Sequence, residues 1–211
     1  MNLFTFKGIP VRLHGSFLVF TGILTLLNGM SGGLSAAINV VGAMTILFFS
    51  VVVHEFGHAL VARGFGVNTR EIIMTPLGGL ALLDKSMDDP KAEIYIALAG
   101  PAVNLVLVGM FAPLLFFTTS QVLLFFISIN LMLAFFNLLP AFPMDGGRVL
   151  RSVLARKYGW RTGTFKALTV SKFFAFVFII VGALYAPMLA IIGIFLLLIV
   201  SQQRRQLENK W

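Results

Sequence analysis

Six stretches of this sequence, at roughly 15–30, 36–63, 93–118, 121–139, 168–185 and 187–202, are dominated by apolar residues. A helix needs about 20 such residues to cross the hydrocarbon core of a bilayer. Little polar surface remains elsewhere to carry these runs in water. Charged residues are 11% of the chain and apolar residues 58%, with 22 Phe against 8 acidic side chains. A soluble domain has about 25% charged and about 45–50% apolar residues. The expected architecture is an all-α polytopic membrane protein, a single domain over residues 1–211 with about six transmembrane helices. Gly and Ala are available for close helix contact.

The net charge of +8 invites a nucleic-acid reading, but no stripe of Lys and Arg interleaved with aromatics accompanies it. The charges sit between the apolar runs. Lys7 and Arg12 precede the first run, and the segment from Arg63 to Glu93, with Lys85 and Asp88, separates the second from the third. Arg148 to Lys172 separates the fourth from the fifth, and Arg204, Arg205, Glu208 and Lys210 form the tail. The connections near Gly29–Ser35, Thr118–Gln121 and Ala186–Pro187 carry no charge. Alternating crossings put every charged loop on one side, which the positive-inside rule makes cytoplasmic, along with both termini. The expected location is the cell membrane of a prokaryote. No cysteine is present, so disulfides and thiolate ligands are excluded. The N-terminus lacks a signal-peptide core and cleavage site, and is expected to be the mature start.

Two cytoplasmic segments read as extended. Leu3–Leu13, with Lys7-Gly8 and Pro10, reads as a hairpin at the membrane surface. Glu71–Asp84 is interrupted by Pro76 and Gly78-Gly79 and reads as a second hairpin or a re-entrant loop. Non-helical backbone survives at membrane depth only when buried in protein or lining a wet cavity.

The chemistry is concentrated in His54-Glu55-Phe56-Gly57-His58, inside the second apolar run. Residues i and i+4 share a helix face, so the two imidazoles can hold one metal ion while Glu55 serves as a base beside it. Zinc suits this donor type, and a catalytic zinc takes a third protein ligand and keeps one position open. Ionisable groups inside a span are costly and usually functional. Asp145, after Pro140 and Pro143 at the end of the fourth run, is the candidate third ligand. Its alternative role is to cap the following helix, with Gly146-Gly147 as a turn. Asn104, a polar group in mid-span, either hydrogen-bonds substrate or a developing oxyanion or joins helices. Asn137 either orients the Asp145 loop or a bound peptide, or caps local backbone.

These two motifs together resemble the site-2 protease family of intramembrane zinc metalloproteases. Gly100-Pro101-Ala102-Val103-Asn104 resembles the family's Gly/Asn motif, Pro76-Leu77-Gly78-Gly79 its membrane-associated hairpin, and Gly8 to His14 the segment before its first span. The resemblance implies one Zn2+ held by His54, His58 and Asp145, with Glu55 catalytic. It also implies cleavage of a transmembrane substrate, such as a membrane-tethered regulator released toward the cytoplasm. Met144 stands where Leu is common, and the sequence shows no PDZ or CBS region, so the expectation is either a minimal member or a piece of a longer chain. A substrate helix must unwind before it is cut, and an extended segment can pair with the edge of the 71–84 hairpin, near Gly78 and Gly79.

Two other classes compete. A metal transporter would use the same ligands for transit, but has no need of Glu55 and usually carries an inverted repeat, which is not visible. A pseudoprotease would bind membrane proteins without cutting them; retention of the ligands and the Glu argues against it. Gly29-Met30-Ser31-Gly32 imitates a serine nucleophile motif, but no histidine is expected at its level. The sequence leaves the oligomeric state open.

Overall fold

A computed structural model of the protein describes residues 1–76, 78–84 and 89–209. Leu77, Lys85, Asp88 and Lys210, which entered the hairpin and charge-map arguments, lie outside the described residues. Strands β1 (Asn2–Phe6), β2 (Ile9–Leu13), β3 (Thr69–Thr75) and β4 (Gly78–Leu83) accompany helices α1 (Gly15–Gly64), α2 (Pro90–Phe111), α3 (Gln121–Leu138), α4 (Asp145–Tyr158), α5 (Trp160–Tyr185) and α6 (Pro187–Asn209). The chain divides into two compact units, Met1–Ser86 with Ala99–Ala134, and Met87–Leu98 with Phe135–Trp211. The boundaries fall inside α2 and α3, so each of these helices contributes to both.

In the first unit the two expected hairpins form, and they form one sheet. The order is β1-β2-β3-β4. The inner pair, β2 and β3, runs parallel with Val11 opposite Ile72 and Leu13 opposite Met74, a pairing across more than fifty residues that local pattern does not reveal. Lys7 and Gly8 have φ of 48° and 82°, the doubly left-handed geometry that favours a tight β1–β2 turn. Alternate residues Ile9, Val11 and Leu13, with Ile72 and Met74, turn one face onto Val52, Phe56 and Ala59 of α1. The sheet thereby seals the stretch of α1 that bears the histidines. Arg12 joins Glu71 across the parallel pair at 3.0 Å, and Arg63 donates to the Lys7 carbonyl at 2.8 Å.

Helix α1 contains 50 residues, about 75 Å of straight helix. That is more than twice the hydrocarbon thickness of about 30 Å. It is not straight. Gly33, at φ 71° and ψ −166°, has a non-helical backbone, and Gly29 and Ala37 meet across it, a Cβ at position 29 standing 3.4 Å from the Ala37 Cβ. In an unbroken helix residues eight apart are separated by about 12 Å. The Phe17 and Phe48 rings touch, with centroids 5.6 Å apart. Residues 15–32 and 34–64 are therefore two arms folded back on one another, and the reversal lies in the uncharged Gly29–Ser35 connection.

The remaining helices outrun the apolar windows. Helix α5 starts at Trp160 and α6 continues to Asn209, because polar and basic residues extend a helix as readily as apolar ones. Among the described residues, five helices are long and apolar enough to cross a membrane. Large apolar side chains such as Leu18, Phe20, Leu105, Phe135 and Phe176 remain exposed along them, as an integral membrane protein requires. In the second unit α4 is a separate helix that the apolar pattern did not isolate. It ends at Gly159, whose φ of 79° turns the chain into α5. Phe142, Ala167, Leu168 and Val200 form the local core.

Candidate metal centre

The first unit carries the histidine pair. His54 and His58 lie on one face of the second arm of α1, both buried, with Nε2 atoms 3.0 Å apart. Two nitrogens on one tetrahedral zinc, each bound at about 2.0–2.1 Å, would be about 3.3 Å apart. The pair matches that spacing closely. Gly100 of α2 lies directly over both rings: a Cβ there would fall 2.5 Å from His58 Cε1 and 2.6 Å from His54 Nε2. The missing side chain leaves a cradle at the convergence point of the two donors. Gly57 provides the approach that makes this possible, since a Cβ on it would stand 2.8 Å from the Ala99 carbonyl.

Asn104, one turn further along α2, is fully buried, and its Oδ1 lies 2.5 Å from His54 Nδ1. That oxygen can only accept, so Nδ1 carries the proton and Nε2 is left with its lone pair. The carboxamide of Asn104 also donates to Asn130 Oδ1 at 2.7 Å, and Asn130 donates to Ser50 Oγ at 3.0 Å and to the Phe126 carbonyl at 2.8 Å. Asn130 and Ser50 were not legible as partners of the site from sequence. Glu55 is half-buried, and Gly79 of β4 packs on it so closely that a Cβ would lie 2.8 Å from its Oε1. Gly78, at φ 131°, starts β4.

Asp145, in the second unit, is buried and is the first residue of α4. The capping alternative is not realised: Met144 occupies the cap position. Gly146-Gly147 is likewise no separate turn but the beginning of the helix itself. Cβ atoms on these glycines would strike the backbone of Leu138, Leu139, Ala141 and Phe142, so the pair lets the chain after α3 lie against the start of α4. Phe142 N–H donates to Ser171 Oγ at 2.8 Å and fixes the same segment to α5. Arg148 reaches Asp145 Oδ1 at 3.4 Å. Asn137 is half-buried in the last turn of α3.

Three polar residues outside the donor set also find defined places. Glu93, counted by sequence among the charges of a cytoplasmic connection, is buried in the first turn of α2 with Arg151, Arg148 and Ser152 around it. His14 caps α1, its Nδ1 accepting from Ser16 N–H at 3.2 Å. Ser31 returns its hydroxyl to its own helix, to the carbonyls of Leu27 and Asn28.

His54 and His58 in the first unit and Asp145 in the second are each buried, and imidazole and carboxylate are donor types that zinc accepts. Comparison with known proteins agrees in kind. The sequence pattern of peptidase family M50 matches residues 42–121 and 117–182. A zinc metalloprotease of Methanocaldococcus jannaschii is 36% identical over 215 residues, 99% of this chain and 61% of that protein. A putative zinc metalloprotease of Synechocystis is 37% identical over 193 residues, 84% of this chain and 50% of its own. The chain thus spans one half to three fifths of the length of these curated relatives. The structure of a site-2 protease from Methanocaldococcus jannaschii superposes with a TM-score of 0.72 at 34% identity, covering 96% of this chain and 94% of that one. By sequence match and by fold, the chain belongs to peptidase family M50, the site-2 proteases.

Proposed function

We propose that the chain is an intramembrane zinc endopeptidase that hydrolyses peptide bonds within or near the transmembrane helices of membrane-tethered proteins. The observation that carries this reading is the convergence of two buried imidazole Nε2 atoms, 3.0 Å apart, under a glycine cradle, on the helix that also bears Glu55. His54, His58 and Asp145 would hold one zinc ion, which when bound would supply Lewis acidity toward a water and a peptide carbonyl. Glu55 takes the proton of the attacking water and returns it to the leaving amine. Asn104 has its carboxamide engaged by His54 and Asn130, so its assigned role is to orient His54. Asn137 is assigned to the substrate or the oxyanion.

The two arms of α1 and the four other apolar helices make six crossings, with both termini and the sheet on the cytoplasmic side. β4 is an edge strand. A substrate segment that has unwound adds to it between Gly78 and Leu83, replacing the backbone bonds it lost. Purified protein in liposomes, given a model single-span substrate, tests the activity. Products should end inside or beside the substrate's apolar span by mass spectrometry, disappear with a zinc chelator and return with zinc. Persistent cleavage after complete zinc removal would overturn the reading.

A further inference from the structure

We infer that Glu93 is a positioning residue for the third metal ligand, acting through Arg148 and α4. The inference rests on the reading of Asp145 as a zinc ligand. Glu93 is 1% exposed, and a carboxylate so buried is strongly unfavourable unless charged or hydrogen-bonding partners surround it. Among the described residues, its side-chain partners come from α4. Arg151 binds both of its oxygens, Ser152 donates its hydroxyl, and Arg148 approaches to 3.8 Å. Arg148 meanwhile holds Asp145 Oδ1 at 3.4 Å. One guanidinium therefore stands between a buried anchor and the carboxylate that opens the helix.

The spacing makes this more than a charge cluster. Asp145, Arg148 and Ser152 follow i, i+3, i+7 and share one face of α4. Glu93 grips the latter two, which fixes the rotation of α4 about its axis; a slip of one residue would swing Asp145 by about 100°. Arg151 is held in turn by the rings of Phe142 and Trp160, 5.2 and 4.8 Å from its guanidinium carbon. The anchor thus also ties down the segment that precedes α4. A carboxylate steered through one oxygen presents the other in a fixed direction, which a metal with tetrahedral preference demands.

The test uses the cobalt(II)-substituted protein in detergent, read by its visible ligand-field spectrum and by cobalt affinity, beside the thermal unfolding midpoint. Asp145→Asn is the reference: it must change the wild-type spectrum if Asp145 is a ligand. Glu93→Gln and Arg148→Met are then expected to shift the spectrum and weaken cobalt binding by about 10- to 100-fold, with Arg148→Lys recovering most of the loss. Arg148→Met keeps Glu93 with Arg151 and Ser152, so it discriminates even if Glu93→Gln does not fold. An unchanged spectrum and affinity in Arg148→Met would overturn the inference and leave Glu93 a structural anchor only. A spectrum indifferent to Asp145→Asn would instead remove the ligand assignment beneath it.

Discussion

Asn104 Oδ1 lies 2.5 Å from His54 Nδ1, and this contact decides which nitrogen of the histidine faces a metal. An amide oxygen can only accept, so the proton stays on Nδ1 and Nε2 becomes the donor. Asn104→Leu removes the acceptor and is predicted to weaken zinc binding by about 10- to 100-fold. Asn104→Asp keeps an acceptor and should retain most of the affinity. Competition against a chromophoric zinc chelator measures both.

The two glycines over the site should separate by phenotype. At Gly100 a Cβ would occupy the space between the imidazoles, and at Gly79 it would displace the Glu55 carboxylate. Gly100→Ala is predicted to lose zinc and with it activity. Gly79→Ala is predicted to keep zinc at the wild-type level while kcat falls about 100-fold, the scale of a catalytic group moved by about 1 Å. Zinc content by atomic absorption, paired with turnover, distinguishes the two.

The reversal within α1 gives a chemical prediction. The chain has no cysteine, and Cβ atoms at positions 29 and 37 would stand 3.4 Å apart. Disulfide-bonded Cβ atoms are about 3.5–4.5 Å apart. Gly29→Cys with Ala37→Cys should form an intrachain disulfide on mild oxidation, detectable by mass spectrometry after alkylation. A continuous helix would keep the thiols about 12 Å apart and unbridged.

Arg151 neutralises the buried Glu93 and packs between Phe142 and Trp160. Arg151→Leu would leave a buried charge short of its main partner, a change that costs about 3–5 kcal/mol. The predicted outcome is a clear fall in the thermal midpoint in detergent, partly recovered by Glu93→Gln in the same chain.

The parts legible in the sequence were those carried by local pattern. His54 and His58 at i, i+4 specify a shared helix face whatever surrounds them, and Lys7-Gly8 announces a turn, whereas Gly78 and Gly79 belong to strand β4. Apolar run length marked each of the five described helices long and apolar enough to cross a membrane, though not where Trp160 begins α5, since the bilayer sets the window and the helix ignores it. What stayed hidden depends on contacts across long stretches of chain. The parallel register of Val11 with Ile72, the chain from His54 through Asn104 and Asn130 to Ser50, and the burial of Glu93 all need the tertiary fold. Gly100 is the instructive case. Its motif was visible, but only the packing of α2 on α1 shows that the lack of a Cβ leaves room over the imidazoles.

Whether this chain is a zinc protease is decided by zinc content and cleavage measured together for wild type, Glu55→Gln and Asp145→Ala. Near-stoichiometric zinc is expected in wild type and Glu55→Gln, and weakened zinc binding in Asp145→Ala. Wild type alone should cleave efficiently, with a loss of about 100-fold or more in Glu55→Gln. Zinc bound by wild type without cleavage of any of several transmembrane substrates would contradict the protease assignment in favour of transport or a non-catalytic role. Absence of zinc from wild type after metal repletion would contradict it outright.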